Sequence, residues 1–448
     1  MYDTSDLEQI DFSKYKRIGV AYSGGVDSSV LLHSLSLKTE NKKKLFGLHI
    51  NHGINSKSDL WEKHCKEACF IRDIEFISFE LDHKKGKNLN ENDLREARYK
   101  KLFSWAKEGD VICTAHHKDD QVETILFRIL RGTGIKGLQG IKKFSVKKSV
   151  DLVRPLLNFS KEELIDYALL NNLSWIEDES NTDLSISRNY LRNKVLPLLA
   201  KQLPHYSDSF INLSVQAKDA WKVLEEIADI DLRHCLGSPG DRLSIIKMDN
   251  MSKQRIKNLI LRWLSQLLHT NIPLSFVEQI YRNMFLTGKD SNPIASFGHS
   301  KSRNSFQIRR FHNYIYFLPQ SVINNSLEAS NSWSWDINSK LVLPTGTLSS
   351  EKVCGKGLAS KFSHKSLVVK AREGGERCKP FGRSKSQKLK KLFQEYKVPP
   401  WLRNRLPLIF VKDEIAAVAD LWVCEKFKTE EDKFGFLLKW SDNLELNS

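Results

Sequence analysis

The stretch Arg17–Leu35, RIGVAYSGGVDSSVLLHSL, sets Ser23, Gly24, Gly25, Val26, Asp27 and Ser28 between two apolar runs. Paired glycines let a backbone approach a ligand closely. N–H groups at the start of a following helix attract phosphate oxygens. Ser23 and Ser28 add hydroxyl donors, and Asp27 puts an acid at the same turn. The chemistry on offer is phosphate binding. Yet the lysine of a Gly-Lys-Ser/Thr loop, which reaches the β- and γ-phosphates, is missing here. A second group of reactive types lies in VICTAHHKDDQVETILFRILRGTGIKGLQG, residues 111–140. Asp120 and Glu123 fall three apart in the first turn of an expected helix, so they share a face. Acids there suit the helix dipole, which is the purely structural reading. Beside a nucleotide loop the same pair can hold Mg²⁺ or a cationic substrate. His116 and His117 precede the acids at a spacing poor for zinc, which leaves Mg²⁺ the better fit.

The elements that must hold these groups follow from periodicity. RIGVAY, KLFGLHI, IEFISFEL and DVICTAH read as strands; SSVLLHSLSL, SDLWEKHCKEACFIRD and NENDLREARYKKLFSWAKE read as helices between them. Such alternation predicts a parallel sheet with helices on both faces, whose ligands bind beyond the carboxyl ends of the strands. The glycine stretch sits at one such end and the Asp120–Glu123 helix at another. In that second helix Val122, Ile125, Leu126, Ile129 and Leu130 form an expected buried stripe. Downstream, helices are expected from about residue 213, at SKQRIKNLILRWLSQLL and at PLSFVEQIYRNMF. Hairpins are expected to turn near His312 and Asn313 and between PLIFVKD and IAAVADLWV.

Composition narrows the class. A chain of 448 residues with 40% hydrophobic and 28% charged content has room for two to four domains. No apolar run approaches the roughly 20 residues that cross a bilayer. The polar, acidic N-terminal stretch is neither a secretory signal nor a transit peptide. Seven cysteines without a Cys-x-x-Cys pair argue against a disulfide framework or a four-cysteine zinc site. A cytoplasmic protein without membrane or obligate protein partner is expected. Lys plus Arg outnumber Asp plus Glu by 70 to 54, a net charge of +16. Residues 361–405 hold fourteen Lys/Arg and three Glu, a local net of +11. That concentration points to a polyanionic partner, the alternative being a solvated lysine-rich face.

SGGVDS after a strand resembles the PP-loop of the ATP pyrophosphatases, which cleave ATP between its α- and β-phosphates and hold pyrophosphate as the leaving group. AHHKDDQVETILFRILRGTGIKGL is similar to the second signature of the tRNA(Ile)-lysidine synthetases. INHGI, with His52 and Gly53, matches a further motif, although Asn55 stands where that family carries an arginine. EARYKKLF matches the helix bearing Arg98, and RPLLNFSKEEL the exit from the sheet, with Ser160 and Glu163 as a capping box. EDESNTDLSISRNYLRNKVLPLL matches a third block through Asp178, Asn181, Arg188, Asn189 and Arg192.

The resemblance implies an α/β fold: a parallel-sheet, Rossmann-like PP-loop domain, a mainly helical domain and a small α+β C-terminal domain. Expected limits are 1–212, 213–320 and 361–448, with 321–360 a linker or loose hairpin. It implies adenylation by ATP of the C2 oxygen of the wobble cytidine in the CAU anticodon of tRNA(Ile). Free L-lysine then displaces AMP to give lysidine. Ser23, Gly24, Gly25, Val26, Asp27 and Ser28 would bind ATP, with Asp27 near Mg²⁺. Asp120 and Glu123 would take the lysine ammonium, and Arg98 the phosphates or the lysine carboxylate. His52 and His116 would contact the nucleotide or the activated base. Asp27, Asp120, Glu123 and His116 make up the expected catalytic set. Arg372, Arg377, Lys379, Arg383, Lys388, Lys390 and Lys391 would face tRNA phosphates. Phe381 and Trp401 could stack on bases, with core packing the alternative for Trp401. A cytidine thiolase would want a cysteine pair, a small-molecule ligase has no use for the +11 segment, and a plain RNA-binding module needs neither SGGVDS nor DDQVET.

Overall fold

The computed structural model describes residues 10–37, 42–51, 58–81, 91–147, 149–177, 183–185, 187–237, 240–268, 270, 272–288, 292–298, 305–328, 330–362 and 367–443. His52, Gly53 and Asn55, and Asp178 and Asn181, lie outside them. The chain forms two compact units, Met1–Leu224 and Glu225–Ser448. The boundary falls inside one helix, Tyr206–Cys235, which starts ahead of the expected position.

The first unit is built on a six-stranded sheet of β1 (Ile18–Ala21), β2 (Leu45–Asn51), β3 (Glu75–Glu80), β4 (Val111–Cys113), β5 (Phe144–Lys147) and β6 (Val150–Val153). Their order is β3-β2-β1-β4-β6-β5. All neighbours are parallel except the edge pair β5–β6. Helices α1 (Val26–Ser36), α2 (Ser58–Phe70), α3 (Glu91–Trp105), α4 (Lys118–Leu130) and α5 (Lys161–Leu170) connect or flank the strands. Strand β4 shows why apolar runs become central strands. Val111 and Cys113 join one core with Ile18, Val20, Leu31 and Leu164, while Ile112 joins another with Leu48, Leu102 and Phe103. Successive side chains point to opposite faces, and both faces are covered. Each such buried side chain contributes about 1.5–3 kcal/mol. The stripe expected on α4 is only half realised. Val122 and Ile125 are fully buried, but Ile129 is 40% and Leu130 68% exposed.

In the second unit, helices Lys253–Leu268 and Leu274–Phe285 pack on a five-stranded antiparallel sheet through Trp263, Ile280, Phe306 and Phe317. Strands Phe306–Phe311 and Tyr314–Pro319 pair as the expected hairpin, with His312 at φ +49° in the turn. The C-terminal part adds one sheet in the order Ser332–Trp335, Leu367–Lys370, Leu408–Val411, Glu414–Val418, Trp422–Val423. A second runs Leu341–Leu343, Gly346–Cys354, Phe434–Asp442, Leu358–Ala359.

Residues 321–360 therefore hold the hairpin of the two alternatives, Leu341–Leu343 with Gly346–Cys354, and it is built into the sheets rather than a linker. They supply strands to both sheets and bury Trp335, Leu343, Leu348 and Leu358 to 2% exposure or less. Gly346–Cys354 pairs with Phe434–Asp442 along its whole length. Arg405, 1% exposed, fixes the same segment. Its guanidinium donates to Val322 O, Asn325 O, Thr345 O and the Asp442 carboxylate. Among the described residues no helix is long and apolar enough to cross a membrane.

Candidate active site

Strands β1, β4 and β6 lie side by side and parallel, so the helices that follow them, α1, α4 and α5, all start at the same sheet edge. The strand order changes direction between β1 and β4. That is the switch point at which open α/β sheets leave a ligand crevice.

The loop after β1 is shaped by Gly24. Its φ is +85°, and a Cβ there would lie 2.9 Å from Cys65 Sγ and 3.0 Å from Ile176 Cδ1. The Gly24 carbonyl accepts from Ile176 N–H at 2.9 Å, which clamps the loop from outside. Ser28 Oγ donates to Gly25 O at 2.9 Å and lies 3.2 Å from Ser23 Oγ. The first N–H groups of α1 have no carbonyl partner within the helix and start from extended Gly25. This is an anion-binding arrangement.

The loop before α4 carries the acids. The His117 N–H donates to Asp120 Oδ2 at 3.0 Å, which fixes that carboxylate at the helix start. The buried His117 ring has three carboxylates around it: Asp27 Oδ2 at 3.7 Å, Asp119 Oδ2 at 3.5 Å and Asp120 Oδ2 at 3.4 Å. Burial works against its charged form, but Asp119, Asp120 and Asp27 outweigh that and raise its pKa. His116 differs. Burial pushes it down to about 4, with Arg154 and Arg95 opposing its charge against the pull of Asp120, so it is neutral at pH 7. Its Nδ1 lies 2.9 Å from Thr114 Oγ1.

The two expected substrate acids meet a cation already. Arg192 donates to Asp120 Oδ1 at 2.9 Å and to Glu123 Oε2 at 2.7 and 3.0 Å. Arg188 Nε lies 3.9 Å from Glu123 Oε1. Arg192 sits in a π-helical turn, Leu191–Val195, a distortion frequent at functional sites. Burial pushes the pKa of Glu123 up, and Arg192 and Arg188 offset this only in part. Burial acts likewise on Asp120, but His117, His116 and Arg192 win and lower its pKa. Adjacent carboxyls thus differ in proton affinity, the usual mark of an acid–base pair.

The α5 start closes the group. Ser160 and Glu163 form the expected capping box. Lys161 N–H donates to Asp119 Oδ2 at 2.8 Å, and its Nζ lies 2.6 Å from Asp27 Oδ1. Lys161 and His117 have no role in the sequence reading, and Arg192 only matches a block there. A lysine in the first turn of a helix opposes the dipole, the one sequence signal that could have drawn notice to Lys161. Arg98 is exposed on α3, while Arg95, one turn before it, is the arginine of that helix whose charge, with that of Arg154, bears on His116. Of the basic C-terminal set, Arg372 and Arg383 pair with Glu376 and Glu395. Arg377, Lys388, Lys390 and Lys391 are exposed, and Lys379 is half-buried. Phe381 is 53% exposed under Lys428. Trp401 packs on Tyr316 and Phe311.

Comparison with known proteins matches this arrangement along the chain. Residues 3–199 match the PP-loop domain family, 243–316 the TilS substrate binding domain and 367–440 the TilS substrate C-terminal domain. The tRNA(Ile)-lysidine synthase of Coxiella burnetii is 36% identical over 93% of this chain and 91% of its own. That of Escherichia coli O157:H7 is 33% identical over 96% and 97%. Among solved structures, the U34-tRNA thiolase NcsA of Methanococcus maripaludis aligns with a TM-score of 0.40 and 18% identity over 48% of this chain and 76% of that one. Matches that run from the glycine loop to the last strands, with relatives this similar over nearly their whole length, place the chain in the tRNA(Ile)-lysidine synthase family.

Proposed function

We propose that this chain makes lysidine at the wobble cytidine of a CAU anticodon in tRNA(Ile), from ATP and free L-lysine. The observation that carries the reading is a two-carboxylate receptor, Asp120 with Glu123, already holding a cation beside a glycine loop built for phosphate. Ser23 to Ser28 bind the ATP phosphates through backbone N–H groups and hydroxyls. The C2 oxygen of cytidine forms a bond to the α-phosphorus and pyrophosphate leaves. The lysine nitrogen then bonds to C2, the C2–O bond breaks and AMP departs.

Lysine must lose a proton to attack. Asp120, its pKa lowered, holds the ammonium as a fixed anion, and Glu123, its pKa raised, accepts the proton. Arg192 yields its place on the pair to the substrate ammonium. Neutral His116 offers the base a hydrogen bond without adding charge. Arg98, exposed on α3, is a contact for the lysine carboxylate.

Magnesium fits as a one-carboxylate site. Among the described residues no group of three or more His, Cys, Asp or Glu is arranged to hold a metal, and Mg²⁺ is commonly held by one or two carboxylates plus substrate phosphates. Asp27, 28% exposed at its side chain, would be that carboxylate, and the ion would offset phosphate charge. Arg377, Lys379, Lys388, Lys390 and Lys391 contact the tRNA backbone together with Arg372 and Arg383, of which Arg372 is also paired to Glu376, and Arg383 and Lys391 to Glu395. The working domains are 1–212 for chemistry, 213–320 for substrate and 321–448 for the tRNA body.

Incubation with radiolabelled lysine, ATP and tRNA(Ile) transcript tests the reading. Label should enter the tRNA only when ATP is present, and a transcript carrying uridine at the wobble position should take up none. Equal labelling of that transcript contradicts the reading.

A further inference from the structure

We propose that Lys161 is a further catalytic residue: it supplies, from the start of α5, the phosphate-binding cation that the glycine loop lacks, and it carries the charge of the departing pyrophosphate. The inference rests on the ATP-dependent reading above and adds a residue to it.

The loop Ser23–Ser28 offers backbone N–H groups and two hydroxyls but no side-chain cation. In lysine-bearing loops that cation reaches the terminal phosphates. Here the fold brings one in from 134 residues away, with Lys161 Nζ 2.6 Å from Asp27 Oδ1. Asp27 is the second residue of α1, so the ammonium stands beside the N–H groups that would receive phosphate oxygens. Three features argue against a mere surface ion pair. Lys161 opens a helix, where a positive charge opposes the dipole, and Glu162 and Glu163 follow it as the acids that suit that position. Its backbone is fixed at both ends of the turn, by Asp119 on its N–H and by the Ser160–Glu163 capping box before it. Its side chain is 39% exposed, accessible to a ligand yet held in one direction by Asp27. A long, flexible cation is thereby ordered before ATP arrives, which lowers the cost of recruiting it. When phosphate oxygens enter, they compete with Asp27 for the same ammonium, and Asp27 is freed toward the metal.

Inorganic pyrophosphate binding to the full-length protein, without tRNA or lysine, is the direct probe. Lys161→Met should weaken it by about tenfold or more, and should lower kcat/KM for ATP by a similar or larger factor. The lysine KM should stay within about twofold, since Asp120 and Glu123 are untouched. Lys161→Arg, which keeps the charge, should restore most of both losses. Lys161→Gln serves as a second neutral variant should the methionine protein fail to fold. A folded neutral variant with wild-type pyrophosphate affinity and ATP kinetics overturns the inference, as does wild-type protein that binds no pyrophosphate. Wild-type protein that binds pyrophosphate through Lys161 but makes no lysidine overturns only the functional reading.

Discussion

Glu123 is the residue on which the proposed chemistry and stability pull in opposite directions. Its carboxyl is 4% exposed and its pKa is raised by burial despite Arg192 and Arg188. A raised carboxyl contributes stability that is fully present below its unfolded-state value and is lost as pH rises from there through the folded-state value, because the unfolded chain gives up its proton first. Glu123→Gln should therefore gain thermal midpoint relative to wild type at pH 8, and the gain should shrink or reverse by pH 4. Melting curves across that range check it, and a difference independent of pH contradicts the burial argument. The same variant should lose lysine-dependent turnover by about 10²-fold or more, as a positioned acid–base group does. Asp27→Ala should abolish adenylation while circular dichroism stays unchanged, because Asp27 stands in the first turn of α1 outside the core clusters. Asp120 and Glu123 were legible from their spacing and their place after a strand. Lys161 and Arg192 were not, because Lys161 reaches Asp27 from 134 residues away in sequence and Arg192 reaches Glu123 and Asp120 from 69 and 72, which leaves no mark on local spacing. His117 stood in plain view two residues before Asp119, but only the fold shows Asp27 on its other side.

At the scale of elements, the working unit is a strand end, a turn and a helix start, used three times along β1, β4 and β6. Alternating apolar runs made the strands and the helices between them readable in advance, and with them the edge at which the site lies. The amphipathic reading of α4 failed at Ile129 and Leu130, since a helical stripe continues in sequence whether or not there is something to pack against it. The turn after β1 is the most demanding of the three. Gly24→Ala would force a side chain into a positive φ, which costs roughly 1–2 kcal/mol, and against Cys65 and Ile176. The expected outcome is a lower thermal midpoint together with a much larger loss of ATP affinity, since the positive φ strains the loop even where the Cys65 and Ile176 side-chain ends give way. Titration with ATP and a melting curve of the same protein check both. Retained ATP affinity contradicts the loop's role in binding.

For the whole molecule, charge and chemistry are segregated along the chain. The +11 of residues 361–405 was visible from composition, whereas the strands of 321–360 were hidden by a polar run that interrupts their alternation. Neutralising Arg377, Lys390 and Lys391 together should flatten the plot of log K for tRNA against log salt by about 2.1–2.7 units, at roughly 0.7–0.9 for each phosphate the protein no longer neutralises. ATP affinity should not change, and lysidine formation should recover at high tRNA concentration. Parallel salt plots with equal affinities mean that this charge serves solubility. The central claim is that one site joins α-phosphate transfer from ATP to lysine attack on a base, and a single quantitative assay tests it. Purified protein, ATP, lysine and tRNA(Ile) are incubated, AMP and ADP are quantified, and the wobble nucleoside is recovered and weighed by mass spectrometry. The account predicts one AMP per lysidine, no ADP, and no net AMP beyond enzyme-bound amounts when lysine is omitted. ADP as the nucleotide product, or AMP released with lysine while the wobble cytidine stays unmodified, contradicts it.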